Sequence, residues 1–161
     1  MADTVVHPFP PIWNCGSRIL ILGSFPSVQS RLDQFYYAHM RNRFWPLMEK
    51  IYSVSLCSKE EKTAFLLSSG LALWDVIFSC TLSLSSDSSI RNVVPNDISV
   101  ILEGAEIEKI ITNGAKADEL YRRYILPVTG REALKLPSTS PANAAWSFDR
   151  LYDVWSQALG K

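Results

Sequence analysis

Four short apolar runs, spaced along the chain with helical segments between them, constrain the fold more than any other feature of the sequence. Arg18–Gly23 (RILILG) is the clearest, Leu71–Ile77 (LALWDVI) also fits a helix turn, and Lys109–Asn113 (KIITN) and Arg131–Leu136 (REALKL, stopped by Pro137) complete the set. A strand that is apolar without alternation is covered on both faces, and strands that alternate with helices form parallel sheets. The helical segments carry their own punctuation. Ser58 with Glu61 forms a capping box for a helix running to Ser69, and Gly70 ends it. Asn96 or Asp97 caps a short helix to Leu102. Ala115 to Ile125 forms another, stopped by Pro127, and Ser147 caps a last one with Phe148, Leu151, Tyr152, Trp155 and Leu159 on one face. The expected fold is α/β: a three-layer sandwich with a short, mostly parallel four-stranded sheet flanked by helices. Its 161 residues are expected to form a single domain, 1–161.

Ligands of open parallel sheets bind beyond the carboxyl ends of the strands. Here those segments are 24–45, 78–95, 114–116 and 137–146. The stretch Ser83 to Ser89 is serine-dense and is expected to be a flexible loop. The first and last of these segments are the least ordinary parts of the sequence. Composition narrows their chemistry. Sixteen basic and sixteen acidic residues give zero net charge, which argues against a charge-driven nucleic-acid coat but permits a local phosphate grip. Three dispersed cysteines and two histidines supply no disulfide framework and no metal ligand set, so no metal and no cofactor are expected. No apolar stretch of about 18 residues exists to span a membrane, and the N-terminus lacks the pattern of a secretory signal. An intracellular, cytoplasmic protein (nuclear if eukaryotic), monomeric and without membrane association, is the expectation.

The first strand leads into Gly23-Ser24-Phe25-Pro26-Ser27, a sharp turn that exposes backbone donors but lacks a phosphate-loop pattern. Beyond it, Tyr36–Pro46 (YYAHMRNRFWP) packs rings, two arginines, an imidazole and a carboxamide into eleven residues. Buried, Arg41, Asn42 and Arg43 need partners, so this stretch reads as an exposed loop entering a helix near Pro46, anchored by Phe44 and Trp45. The last strand leads into Ser138, Thr139 and Ser140 between two prolines, then Ala142 and Asn143.

The strings GSFPS…YYAHMRNRFWPLM and LPSTSPAN together resemble the uracil-DNA glycosylase superfamily, closest to its hypoxanthine-DNA (deoxyinosine) glycosylase branch, from about Arg18 to the last helix. The resemblance implies a monofunctional glycosylase that hydrolyses the N-glycosidic bond of a flipped deaminated base in double-stranded DNA, hypoxanthine favoured, within base excision repair. A mismatch-specific uracil/thymine-DNA glycosylase and a catalytically idle lesion-binding protein are the rivals. Two positions depart from the family pattern. Phe25 stands where uracil-specific relatives carry a water-positioning Asp or Asn, and Met40 stands where Pro is common. Phenylalanine cannot orient water, so the resemblance moves that role to Asn42.

Such chemistry extrudes the nucleotide, then stabilises a cationic sugar and an anionic leaving base. Backbone donors between Ser24 and Ser27 suit the leaving base, with Gly23 and Pro26 shaping the turn. Phe25, with Phe35 or Tyr36, offers a stacking wall. Asn42 has an oxygen for water and an amino group for base or sugar, but is no strong base. His39 is a candidate donor to the leaving base, and Asp75 and Asp87 are the competing acids. Lys116 is the one lysine placed for a Schiff base, more naturally solvated, so no AP-lyase activity is expected. Ser138, Thr139 and Ser140 suit phosphate oxygens, and Pro141, Ala142 and Asn143 match the family's wedge into the vacated stack. Arg41, Arg43 and Arg91 are candidate phosphate ligands.

Overall fold

The computed structural model describes residues 3–82 and 90–161, so the Ser83–Ser89 loop and Asp87 lie outside the described residues. Its central sheet contains the four runs read as strands: β2 (Ile19–Gly23), β3 (Leu71–Asp75), β6 (Lys109–Asn113) and β7 (Leu134–Leu136). They are ordered β3-β2-β6-β7 and all pair in parallel. Register puts Gly23 beside Asp75 and Asn113 beside Leu136, so these strands finish along one edge.

Each strand divides its side chains between two cores with the period of two of the pleat. Ile21, Leu73 and Ile111 face α2 (Phe44–Tyr52), α3 (Lys59–Ser68) and α7 (Phe148–Ala158). Leu20, Leu22, Ala72 and Ile110 face the opposite way, toward α4 (Ser99–Gly104) and α5 (Ala115–Tyr124). Trp155 is fully buried in the first core and Tyr121 in the second. The three-layer expectation describes this architecture.

The caps at Ser58 and Ser147 form as read, each hydroxyl accepting from the backbone N–H three residues on. Four details differ. Pro46 is the third residue of α2, not its entrance, because a proline in the first turn forfeits an N–H that has no helical partner. Ser27 caps a short helix α1 (Val28–Asp33) that the apolar pattern does not announce. Pro127 sits inside a one-turn helix α6 (Leu126–Thr129) just after α5. The strand expected from Arg131 begins only at Leu134, while the Arg131 guanidinium donates to the Ile107 carbonyl at 2.7 Å.

A second sheet was not legible at all. β1 (Asp3–Val6), β4 (Ile77–Leu82) and β5 (Arg91–Pro95) form an antiparallel sheet in the order β1-β4-β5. The chain passes into it directly from β3, with only Val76 between Asp75 and Ile77. The Val76 and Ile77 amides donate to the Gly23 and Ser24 carbonyls, at 2.8 and 3.1 Å, so β2 guides the crossing. Asn96 secures it from below. Its buried Nδ2 donates to the carbonyls of Asp75 and Ile77, at 2.8 and 3.1 Å, and its own N–H donates to Val76. The helix cap read at Asn96 or Asp97 falls instead to Ile98, which makes no side-chain cap bond, while the Asp97 carboxylate accepts from the Ser99 N–H at 3.0 Å. Among the described residues no helix is long and apolar enough to cross a membrane.

Removing the Asn96 amide leaves two buried carbonyls without their donor, each a loss of about 1–3 kcal/mol. Asn96→Ala is expected to lower the urea midpoint accordingly with an unchanged m-value, and a midpoint equal to that of the parent chain contradicts this account of the crossing.

Candidate active site

A cavity of about 360 Å³ opens at the carboxyl edge of the sheet, within the range of roughly 300–1,000 Å³ usual for small-molecule sites. Its walls are the turn Gly23–Ser27, Tyr36 and Tyr37, Asn42, and Ser138, Thr139, Ser140 and Ala142. Asp75 and Asn113 line it from neighbouring strand ends, and Ser30 from α1. The two loops that the sequence places more than ninety residues apart thus face one another across a single chamber.

Arg43 joins them. Its backbone N–H donates to the Thr139 carbonyl at 3.0 Å. Its guanidinium reaches the carbonyls of Ser140 (2.9 Å), Asn143 (3.1 Å) and Trp146. A planar fork with several fixed donors suits a loop whose carbonyls converge. A second tie lies deeper, where the Asn113 carboxamide pairs with Thr139: Nδ2 donates to Oγ1 and Oδ1 accepts from the Thr139 N–H, both at 3.0 Å. Thr139 is fully buried by this arrangement.

Asn42 stands on the cavity wall, and its side chain does two things. Oδ1 accepts from the Phe44 N–H at 2.9 Å, satisfying one of the unpaired donors at the start of α2. That bond fixes the rotamer and leaves Oδ1 a second lone pair, while Nδ2 makes no hydrogen bond among the described residues. Phe25 also lines the cavity, edge-on to His7 with 6.0 Å between ring centroids and with the Arg31 guanidinium 5.7 Å from its own centroid. Tyr36 is held by its hydroxyl, which donates to the Pro10 carbonyl at 2.9 Å.

Several candidates stand elsewhere. His39 is exposed outside the cavity, and its Nδ1 accepts from the Arg41 N–H at 3.0 Å, shaping the turn instead of facing a leaving group. Arg41 is exposed beside it and does not line the chamber. Arg43 and Thr139 are consumed by the ties just described, which takes them from the set of phosphate ligands. Asn143 turns inward, donating to the Ser138 carbonyl at 3.0 Å, so only Pro141 and Ala142 stay exposed at the wedge position. Phe35 stacks on Trp45 at 5.8 Å in the core and is no wall of the cavity. Lys116 lies outside it, 3.5 Å from Glu119, and Arg91 belongs to β5 of the second sheet.

Three residues of the chamber escape the sequence reading: Tyr37, Asn113 and Ser30. Tyr37 stacks on Phe44 at 4.3 Å, and its hydroxyl is buried without a well-formed hydrogen bond. Burial, then the nearby Asp75 charge, raise its pKa, against a smaller opposing effect of Asn113. Tyr36 is raised by the same two causes in the same order. Both phenols therefore stay protonated donors across any physiological pH. Asn113 had a signal, as a polar residue closing an apolar strand, whereas nothing in a single sequence distinguishes Tyr37 from Tyr36. Among the described residues no cluster of three or more His, Cys, Asp and Glu is placed to hold a metal ion.

Comparison with known proteins is consistent across three levels. The family model described as "Uracil DNA glycosylase superfamily" matches residues 10–159. A protein of Methanosarcina acetivorans named "Hypoxanthine DNA glycosylase" is 35% identical over 145 residues, covering 88% of this chain and 90% of that one. A protein of the same name from Methanosarcina barkeri is 32% identical over 154 residues, covering 94% and 96%. The solution NMR structure of a Methanosarcina acetivorans protein named for uracil DNA glycosylase superposes with a TM-score of 0.81 at 32% identity, over the whole of both chains. With the matched region embracing both loops, the sheet between them and the chamber they enclose, the chain belongs to the uracil DNA glycosylase superfamily.

Proposed function

We propose that this protein is a monofunctional DNA glycosylase that takes a deaminated base, hypoxanthine before uracil or xanthine, out of duplex DNA and hydrolyses its N-glycosidic bond. The observation that carries the reading is the Asn42 carboxamide on the wall of a base-sized chamber formed by both family motifs, in a chain whose relatives are named for hypoxanthine. In this reaction the bond from C1′ to the base nitrogen breaks and its electron pair leaves with the base. The water oxygen bonds to C1′, and a water proton ends on the base.

Each charge then has a counterpart in the chain. The spare lone pair of Asn42 Oδ1 orients water, and Nδ2 donates to the base or sugar. The main chain of the Gly23–Ser27 turn lies along the leaving base, Phe25 gives a neutral face for stacking, and both tyrosines remain uncharged. Asn42 is no strong base, so positioning and fixed dipoles supply the rate. On the chamber rim Ser138 and Ser140 are half-buried; each hydroxyl oxygen accepts a loop N–H, from Ser140 and Ala142, and keeps its own hydrogen for a phosphate oxygen, a contact without formal charge that suits a chain of zero net charge. Pro141 and Ala142 stand beside them to fill the place of the extruded base.

Duplexes carrying one hypoxanthine, uracil or xanthine are the direct test. Abasic product that breaks only after alkali treatment supports hydrolysis without lyase chemistry; binding without any abasic product selects the idle binder instead. Asn42→Ala is expected to slow single-turnover excision by at least about a hundredfold, the scale for losing one aligned polar group. Excision at the parental rate removes Asn42 from its role. For Ser138→Ala the expected change is weaker duplex binding with a smaller effect on the bound-state rate, measured by titration and single-turnover kinetics in parallel. A collapse of the bound-state rate at unchanged affinity assigns that serine to chemistry.

A further inference from the structure

Behind the chamber floor lies a buried pair that none of the family motifs contains. His7, from the segment following β1, places Nε2 2.7 Å from Asp75 Oδ2, with side chains only 2% and 5% exposed. The other ring nitrogen, Nδ1, stands 2.8 Å from the Phe9 carbonyl oxygen. A carbonyl can only accept, so Nδ1 carries a hydrogen. The 2.7 Å contact then holds one further proton, either on Nε2 facing a carboxylate or on Oδ2 facing a neutral imidazole. In both forms the pair is neutral overall and that proton lies on the Oδ2 side.

The consequence falls on the other oxygen. Asp75 lines the chamber, and Oδ1 makes no hydrogen bond among the described residues. It lies so close over Gly23 that a Cβ there would overlap it. Because His7 keeps the proton at Oδ2, Oδ1 is a hydrogen-bond acceptor in either form. A lone buried carboxyl has no such guarantee, since it can protonate on either oxygen and become a donor.

Resting on the glycosylase reading above, we propose that the His7–Asp75 pair is the device that distinguishes a deaminated base from its parent. Deamination of adenine turns N1 from a bare lone pair into an N–H, and deamination of cytosine does the same at N3. A fixed acceptor bonds the N–H of hypoxanthine or uracil and meets the lone pair of adenine or cytosine with repulsion. Guanine and thymine carry the same N–H, so this selection acts against adenine and cytosine alone. Sites built around one buried hydrogen bond discriminate strongly, because the unpaired group has no water to fall back on. Asp75 is the specificity-determining group, and His7 is its positioning residue.

Replacements of similar size separate this from a structural role. In Asp75→Asn the imidazole lone pair accepts from the new amide, which leaves an oxygen toward the chamber. Asp75→Leu retains bulk but offers no acceptor. On a hypoxanthine duplex, Asp75→Asn is expected to excise within about tenfold of the parent, and Asp75→Leu about a hundredfold more slowly or worse. His7→Phe, which fills the space among Phe9, Phe25 and Tyr36, is expected to slow excision by about tenfold or more, the scale of one hydrogen bond. The gap between Asp75→Asn and Asp75→Leu is expected to close on a duplex carrying 1-methylhypoxanthine, which lacks the N–H. Near-ultraviolet circular dichroism confirms folding of each variant. The proposal is overturned if folded Asp75→Leu matches the parent, if Asp75→Asn is as slow as Asp75→Leu, or if their gap persists on the methylated base. A parent chain that excises nothing from any duplex removes the glycosylase reading itself, and this one with it.

Discussion

The guanidinium of Arg43 organises the chamber. Two loops that leave different strands, β2 and β7, have no reason of their own to stay within a nucleotide's width of each other. Arg43 spans them by collecting three carbonyls of the 140–146 segment, while its backbone holds Thr139. The Asn113–Thr139 pair repeats the tie one layer deeper. Every polar atom spent in this way holds the wall of the chamber in place. A cation that looks like a ligand for phosphate is instead the fastener of the site.

Much of this was legible in advance, for reasons that differ by element. The runs of β2, β3 and β6 are largely buried on both faces and stand out as apolar, though that of β3 also fits a helix turn, whereas β7 is exposed at Leu134 and Lys135 and is marked chiefly by the Pro137 that follows it. Hydroxyl caps at Ser58 and Ser147 are local chemistry and survive folding unchanged. The antiparallel sheet is different. β5 is mostly exposed or half-buried, β1 likewise, and β4 follows β3 without a turn, so neither composition nor punctuation marks it. Its existence depends on pairing across seventy residues, which no window of sequence contains.

Site residues divide along the same line. That Asn42, Phe25, Ser138 and Ser140 line one chamber was readable because their motifs are contiguous. His39 and Arg43 misled because a polar residue in a motif can serve the loop's own geometry, and spacing alone does not separate the two uses. His7 and Asp75 lie 68 positions apart and carry meaning only as a pair. Asp75 inside an apolar run was a visible oddity; its partner was not.

Gly23 shows how tightly the floor is packed. It closes β2, yet the space above its α-carbon belongs to the Asp75 carboxylate and the Tyr37 hydroxyl. Only a hydrogen fits there. The last position of the strand therefore works as a spacer of zero thickness, which lets two functional groups from other parts of the chain rest directly on the backbone. Any side chain introduced at this point lifts the carboxylate off its seat and draws the imidazole after it. In this way a residue with no chemistry of its own sets the depth of the pocket.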